Sequence, residues 1–478
     1  VKVPLSPFLT ERKEILRTLL QRLGEEFSAL SLLATDCSGV RYTIQKKAVS
    51  VQDSRWGERG AVVRIHDGTG YLEHSFNDLP HDADGAERLA GELQERLRGL
   101  VTAARQAGAG RVSYPAYSEP SLTASWQEEV ELPPDMAEQG EVIRRLSALK
   151  ERALSLRPEL VDMRVVYEGV TVAKLYLSPR RELQQAYLWS QGYLIPTLRR
   201  GERMRWLACS FSGLKGLELI AEMEAALEET LSEAEELLAA EPVEPGEYEV
   251  ILSPLAAGLL AHESFGHGVE MDLFVKRRAR AQAYLGRPVA SEQVTMHDGA
   301  RAARQTGSYW FDDEGVLGGD TVMIDRGTLR TGISDLLSAL KLGVPPSGNG
   351  RRESFERKAY ARMSNTFFAP GSDSLQEMIR SVRRGYLLGR FVSGMEDPRN
   401  WGVQGLLAHA REIRDGKLTG RMVAPVIMTG YVPDVLSRVS MVSGELALSG
   451  SGMCGKGHKE YVKNSTGGPY VKTVMRLG

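Results

Sequence analysis

Cysteine is scarce in this chain: 478 residues contain only Cys37, Cys209 and Cys454. An odd, sparse set cannot build a disulfide framework, so a reducing, cytoplasmic setting is expected. No stretch approaches the ~20 apolar residues that a membrane-spanning helix needs. The longest candidate, 252–261, is broken by Ser253 and Pro254. Val1-Lys2-Val3-Pro4 shows no cationic segment leading into an apolar run, so no signal peptide is expected. An excess of one charge is also missing, with 60 Lys+Arg against 62 Asp+Glu. A dedicated nucleic-acid binder would carry a basic surplus, so neither nucleic acid nor membrane is an expected partner. Aromatics make up only 7%, but a 42% hydrophobic content suffices for an ordinary globular core.

The chain reads as two unlike halves. Residues 1–240 hold 30 basic and 36 acidic side chains, and the remainder holds 30 and 26. The acidity peaks in 217–240, where Ile220, Met223, Leu227, Leu231, Ala234 and Leu238 recur at spacings of 3, 4, 4, 3 and 4. That pattern predicts one amphipathic helix with a buried stripe and a solvated glutamate face. Pro242, Pro245 and Gly246 cannot continue it, and a boundary is expected there, giving regions 1–243 and 244–478.

The first region reads twice over as helix, several strands, helix. Helical patterns fall at 11–24, 86–107 and 139–155. Strand-like runs fall at 31–34, 41–46, 48–56 and 60–66, then at 161–168, 171–178, 184–194 and 201–210. A duplicated α/β unit with antiparallel strands is expected, joined near 115–134, where Pro, Ser and Glu concentrate. The second region opens with a strand at 248–253, then Pro254 in a good first-turn position and a helix-compatible run to 272. Strand-like runs and turn signals follow, among them 293–297, 321–324, Asp325-Arg326-Gly327, Asp415-Gly416 and 423–429. The expected class is α+β, with an antiparallel β-rich second domain that carries one functional helix.

That helix holds His262-Glu263-Ser264-Phe265-Gly266-His267, two histidines flanking a glutamate. Imidazole suits Zn²⁺, and an adjacent Glu can take a proton from water. In an HExxH helix a spacing of four puts both histidines on one face. Here the spacing is five, which on an ideal helix separates them by about 140°. A single π-turn would close that to about 50°. The spacing therefore predicts a deformed helix or a helix end between the histidines, with Gly266 and Gly268 easing the deviation. The alternative is two histidines packing near a helix end beside a solvated Glu263.

With these residues in place, the sequence resembles the TldD/PmbA family of zinc metalloproteases, most strongly from Tyr248 onward. His-Glu-x-x-Gly-His with Glu270 and Asp272 behind it matches the family's metal helix. Asp312-Asp313-Glu314-Gly315, residues 348–354 and 362–366, and Met453-Cys454-Gly455-Lys456 resemble its later blocks. The intact motif resembles the metal-containing, TldD-type member. The resemblance implies Cys454 as third zinc ligand beside His262 and His267, with Glu263 as general base in peptide-bond hydrolysis. Three protein ligands leave the open position that a catalytic zinc needs. The family also implies a dimer enclosing a cavity, either a homodimer or a heterodimer with a metal-free member, and an extended or unfolded peptide substrate. A zinc amidase for a small peptide-like substrate and a non-catalytic peptide-binding subunit are the alternatives. Residues 400–406 depart from the family's usual Gly-, Ser- and Phe-rich strand. If they border the cleft, preference could shift toward a precursor peptide.

Glu270 and Asp272 suit a supporting role better than direct ligation, holding a histidine tautomer or a helix end. His297 reads as incidental. His66, His74, His81, His409 and His458 read as structural or surface residues, and Cys37 and Cys209 as core thiols. Residues 450–457 nearly spell a P-loop, but Gly457 stands where Ser or Thr must hold Mg²⁺. Asn464-Ser465-Thr466 matches a glycosylation acceptor that a cytoplasmic chain would not use. The pairs Arg351-Arg352 and Arg383-Arg384 are expected in solvent or in ion pairs.

Overall fold

The computed structural model describes residues 1–108, 112–457 and 459–478, so His458 lies outside the described residues. Three large sheets and a two-stranded one lie among the described residues. The first, in the N-terminal region, has nine strands. At its centre Ser28–Ile44 pairs antiparallel with Leu160–Leu177, which pairs with Arg181–Arg200. The two expected passages therefore share one sheet. The expected runs 31–34 and 41–46 fall in one long strand, Ser28–Ile44, because Leu32 to Ile44 pair without a break with Leu160–Leu177.

The period of two along these strands explains what covers each face. Leu32, Ala34, Tyr42 and Ile44 point to one side, where Pro7–Gly24, Ala83–Gln106, Gln139–Leu156 and Leu227–Ala239 bury their leucines. Leu33, Val172 and Tyr176 point to the other side and meet Tyr309 and Phe311 of the C-terminal region. Buried ion pairs reinforce that junction. Arg64 binds Glu314 at 2.6 Å, and Lys174 binds Asp313. Burial raises the Asp313 carboxyl, but Lys174 pulls it below its usual range. The 312–315 block thus clamps the two halves together.

The acidic helix differs from the expected one in two ways. It is broken at Ala226 into Leu219–Ala225 and Leu227–Ala239. Its glutamate face is also not simply solvated: Glu233 is largely buried and binds Arg390 at 2.8 Å and His409 at 2.5 Å. The C-terminal region covers that side of the helix, and its cations satisfy the carboxylates.

The second sheet also has nine strands, with Gly246–Leu252 between antiparallel Val471–Leu477 and parallel Arg384–Leu388. Its edge is Phe391–Asp397, paired only with Gly402–Leu407 among the described strands. A third, six-stranded sheet includes Asn365–Phe368 and Ser465–Gly468. The helix Pro254–Ala261 lies between the second and third sheets, with Ala256, Leu259, Leu260 and Ala261 buried. Pro254 begins it and the Ser253 hydroxyl accepts from the Ala256 amide. Gly258 passes so close to Gly467 that a Cβ would lie 2.5 Å from the Gly467 nitrogen. This close approach fixes the height at which the helix end enters the site. Among the described residues, no helix is long and apolar enough to cross a membrane.

Candidate metal centre

The helix does not run straight through the two histidines. It becomes a π-turn over His262–Gly266, in which the His267 amide donates to the His262 carbonyl, and then a 3₁₀ turn over His267–Val269. Glu270 is extended and ends it. The wider turn brings the rings to 4.8 Å between centroids, nearly perpendicular at 82°. This is the deformation that the five-residue spacing requires. The glycines serve a different purpose from the one expected. Gly266 has helical dihedrals, φ −66° and ψ −69°. Its missing side chain instead leaves room for the Met363 sulfur, and that of Gly268 leaves room for Glu396.

Cys454 completes the cluster from 187 residues further along the chain than His267. Its Sγ lies 3.2 Å from His262 Nε2 and 3.3 Å from His267 Nε2. Their three candidate ligand atoms all lie within 4.8 Å of one another. A short antiparallel bridge to Val462 holds the Cys454 backbone. The N-terminal region holds the rest of the loop: Gly452 donates to Gln191 Oε1 at 2.9 Å, and Gly450 donates to Ser212 Oγ at 2.7 Å. The Lys463 ammonium binds the same Gln191 oxygen at 2.7 Å.

A charged layer lies behind these residues. Arg362, fully buried, donates to Cys454 Sγ and to its carbonyl oxygen, each at 3.0 Å, and to Glu270 at 3.1 Å. Glu270 in turn faces His267 Nδ1 at 3.3 Å and Lys456 at 2.9 Å. Asp272 binds Lys456 at 2.6 Å and Lys276 at 2.9 Å, not a histidine. The Asn464 amide lies 3.3 Å from His262 Nδ1. As placed, the amide nitrogen Nδ2 faces Nδ1; an ion on Nε2 would leave the proton on Nδ1, and a flipped amide would turn its oxygen to accept it.

Burial alone would raise the Cys454 thiol. His267, His262 and Arg362 outweigh it and hold the thiol well below its usual value. Burial would lower His267, yet Cys454 and Glu270 raise it well above its usual value. Burial raises Glu270, but Lys456, His267 and Arg362 pull it strongly down. Two imidazole nitrogens and a thiolate, with a carboxylate against the far nitrogen of one histidine, form a donor set that fits zinc.

The cluster opens into a cavity of about 690 Å³. Glu263 lines it and makes no hydrogen bond among the described residues. The edge strand Phe391–Asp397 forms one wall, and Gly394 lies directly against the Glu263 side chain. Residues 400–406 do not form that wall. Trp401 is buried against Phe265 and Tyr284, and Gly405 backs Leu259. The departure at 400–406 therefore supports the histidine-bearing helix from behind.

Other sequence-selected groups fall outside the site. Arg352 binds Glu73, and Arg351 donates to the Met363 carbonyl, which takes both into structural roles. Arg384 pairs with Glu244 at the surface. His297 stacks on Phe367 and binds Asp320, and His66 is held by Tyr114. Among the residues the sequence did not single out, Arg362 and Lys456 appear only inside family-like blocks, and Asn464 only as a glycosylation match. Gln191 and Glu396 carry no sequence signal, because their positions depend on contacts between distant segments.

Residues 245–475 match the family model of the PmbA/TldA metallopeptidase C-terminal domain. A metalloprotease of Methanocaldococcus jannaschii is 35% identical over 249 residues, which are 52% of this chain and 54% of that protein. A zinc metalloprotease TldD homolog of Saccharolobus solfataricus is 30% identical, over 48% of this chain and 50% of its own length. The chain thus spans about half the length of the curated relatives it matches. The crystal structure of TldE from Thermococcus kodakarensis shares the fold at a TM-score of 0.70 and 17% identity, covering 97% of this chain and 100% of that one.

Proposed function

Because the chain belongs to the TldD/PmbA family through its C-terminal half, we propose that it is a zinc-dependent peptidase that hydrolyses extended or unfolded peptides. The observation that carries this reading is the convergence of His262, His267 and Cys454 beside Glu263, whose carboxylate lines the cavity and makes no hydrogen bond among the described residues. His262, His267 and Cys454 would hold the ion. Zinc bound there supplies Lewis-acid polarisation of the scissile carbonyl. Glu263 takes the proton from the attacking water and hands it to the leaving amine. Glu270 and Asn464 orient the two imidazoles through their far nitrogens, and Arg362 keeps Cys454 as a thiolate.

The edge strand Phe391–Asp397 supports the substrate class. Its outer edge has no strand partner among the described residues and runs along the cavity wall. An extended peptide adding there would be held by main-chain hydrogen bonds, which read little of its sequence. A precursor peptide presented in extended form would fit equally well. A dimer, with a metal-free relative or with a second copy, belongs to the same reading and is supported by the shared fold with TldE. So does a reducing cytoplasmic setting, in which the free Cys454 keeps its thiol.

The test is zinc-loaded protein incubated with an unfolded polypeptide, with and without a chelator, the products being read by mass spectrometry. The expected result is cleavage that the chelator abolishes and zinc restores. Intact polypeptide in every arm, with zinc bound, overturns the reading in favour of a peptide-binding subunit.

A further inference from the structure

The cavity wall carries a carboxylate that the reaction above does not use. Glu396 lies two residues beyond Gly394 on the edge strand, so both face the same side. Gly394 lies against Glu263, and Glu396 reaches Gly268 on the metal helix. Both Glu396 carboxylate oxygens are buried, and neither completes a hydrogen bond. Burial, with the carboxylates of Glu263 and Glu270 adding to it, holds the Glu396 carboxyl well above its usual value, and the charge of His267 and the Gly268 amide compensate only in part. The cations of the neighbouring layer are already engaged, Arg362 by Cys454 and Glu270, Lys456 by Glu270 and Asp272, and His267 by Glu270 and Cys454. A buried acceptor pair with no donor is costly to leave unmatched, and a cation is its natural complement.

We propose that Glu396 receives a primary ammonium group of the peptide substrate, either its α-amine or a lysine side chain, and so selects amine-bearing peptides. The inference rests on the peptidase reading. A peptide lying along the edge strand would have its scissile bond near Gly394 and Glu263. Two residues along, about 7 Å away, it would meet Glu396. An ammonium there has three donors, enough for both carboxylate oxygens and one further acceptor.

The test compares matched peptides cleaved by the zinc-loaded chain, by Glu396→Gln and by Glu396→Val. One arm pairs a free N-terminus with its acetylated form. The other, N-acetylated throughout, pairs an internal lysine with norleucine. In wild type, the ammonium-bearing member of at least one pair is expected to show a KM lower by about ten-fold or more. In both variants that ratio should fall to near one, and the pair that responds identifies the source of the amine. Equal KM values in both pairs overturn the proposal, as does a preference that survives in Glu396→Gln. A second zinc per chain that is lost in Glu396→Gln overturns it as well. Cleavage of none of the peptides by the wild type overturns the peptidase reading and this inference with it.

Discussion

Arg362 donates to both the Sγ and the carbonyl oxygen of Cys454, so one buried guanidinium fixes the thiolate and the loop that carries it. Arg362 also binds Glu270, which faces the far nitrogen of His267. A single cation therefore supports two of the three proposed ligands. Arg362→Met is expected to weaken zinc binding about 10- to 100-fold. Competition with a chelating dye measures this. In the cobalt-substituted protein the thiolate-to-metal absorption should shift, and unchanged affinity and spectrum would refute the assignment.

Glu263 lines the cavity beside the histidines, with its side chain against Gly394. Glu263→Gln keeps the shape and removes the base. The expected outcome is full zinc content with a loss of turnover of about 10²- to 10⁴-fold. Zinc retained with activity intact would assign the proton transfer to another group.

The 312–315 block clamps the two halves and does not touch the metal ligands. Glu314→Ala would leave Arg64 buried without its partner and the Leu336 amide without its acceptor. Breaking such a pair costs about 3–5 kcal/mol. Urea unfolding should show that loss, while zinc bound per folded chain stays unchanged. Loss of zinc with stability intact would place the block in the site instead.

Glu233 makes the junction sensitive to pH. Burial pushes its carboxyl up, but His409 and Arg390 pull it further down, to about 2 from an ordinary 4.5. A depressed carboxyl contributes stability that is fully present above its unfolded value and is lost as pH falls through its folded value. The contribution is therefore complete above about pH 5 and fades toward pH 2, with an upper size of about 3 kcal/mol. The stability difference between wild type and Glu233→Gln, followed by urea unfolding from pH 6 downward, should shrink over that window. A difference that stays constant with pH would show that packing, not charge, holds this contact.

Much of the local structure was legible before the fold was known. Ser253 and Pro254 announce the start of the helix, because a hydroxyl that accepts an early amide and a ring with fixed φ act within one turn. The five-residue interval between His262 and His267 calls for a deformed helix or a helix end if both rings are to face one ion, and the structure takes the π-turn. The acidic stripe at 217–240 announces a helix but not its break at Ala226, and not the partners of Glu233, which come from 390 and 409.

What the sequence by itself determined is local: many of the helices and strands, and that the helix carrying two histidines and a glutamate cannot run straight through them. These follow from the reach of a few residues, over which backbone geometry and side-chain period act alone. Only the tertiary structure decided that Gly266 and Gly268 are needed for room and not for backbone freedom. It also decided that residues 400–406 stand behind the helix, that Gln191 from the first sheet holds the Cys454 loop, and that the Glu396 carboxylate is buried at the cavity wall with no complete hydrogen bond among the described residues. Those contacts join segments far apart in the chain through non-consecutive strand order, and no pattern along the chain records which distant residue packing will bring alongside.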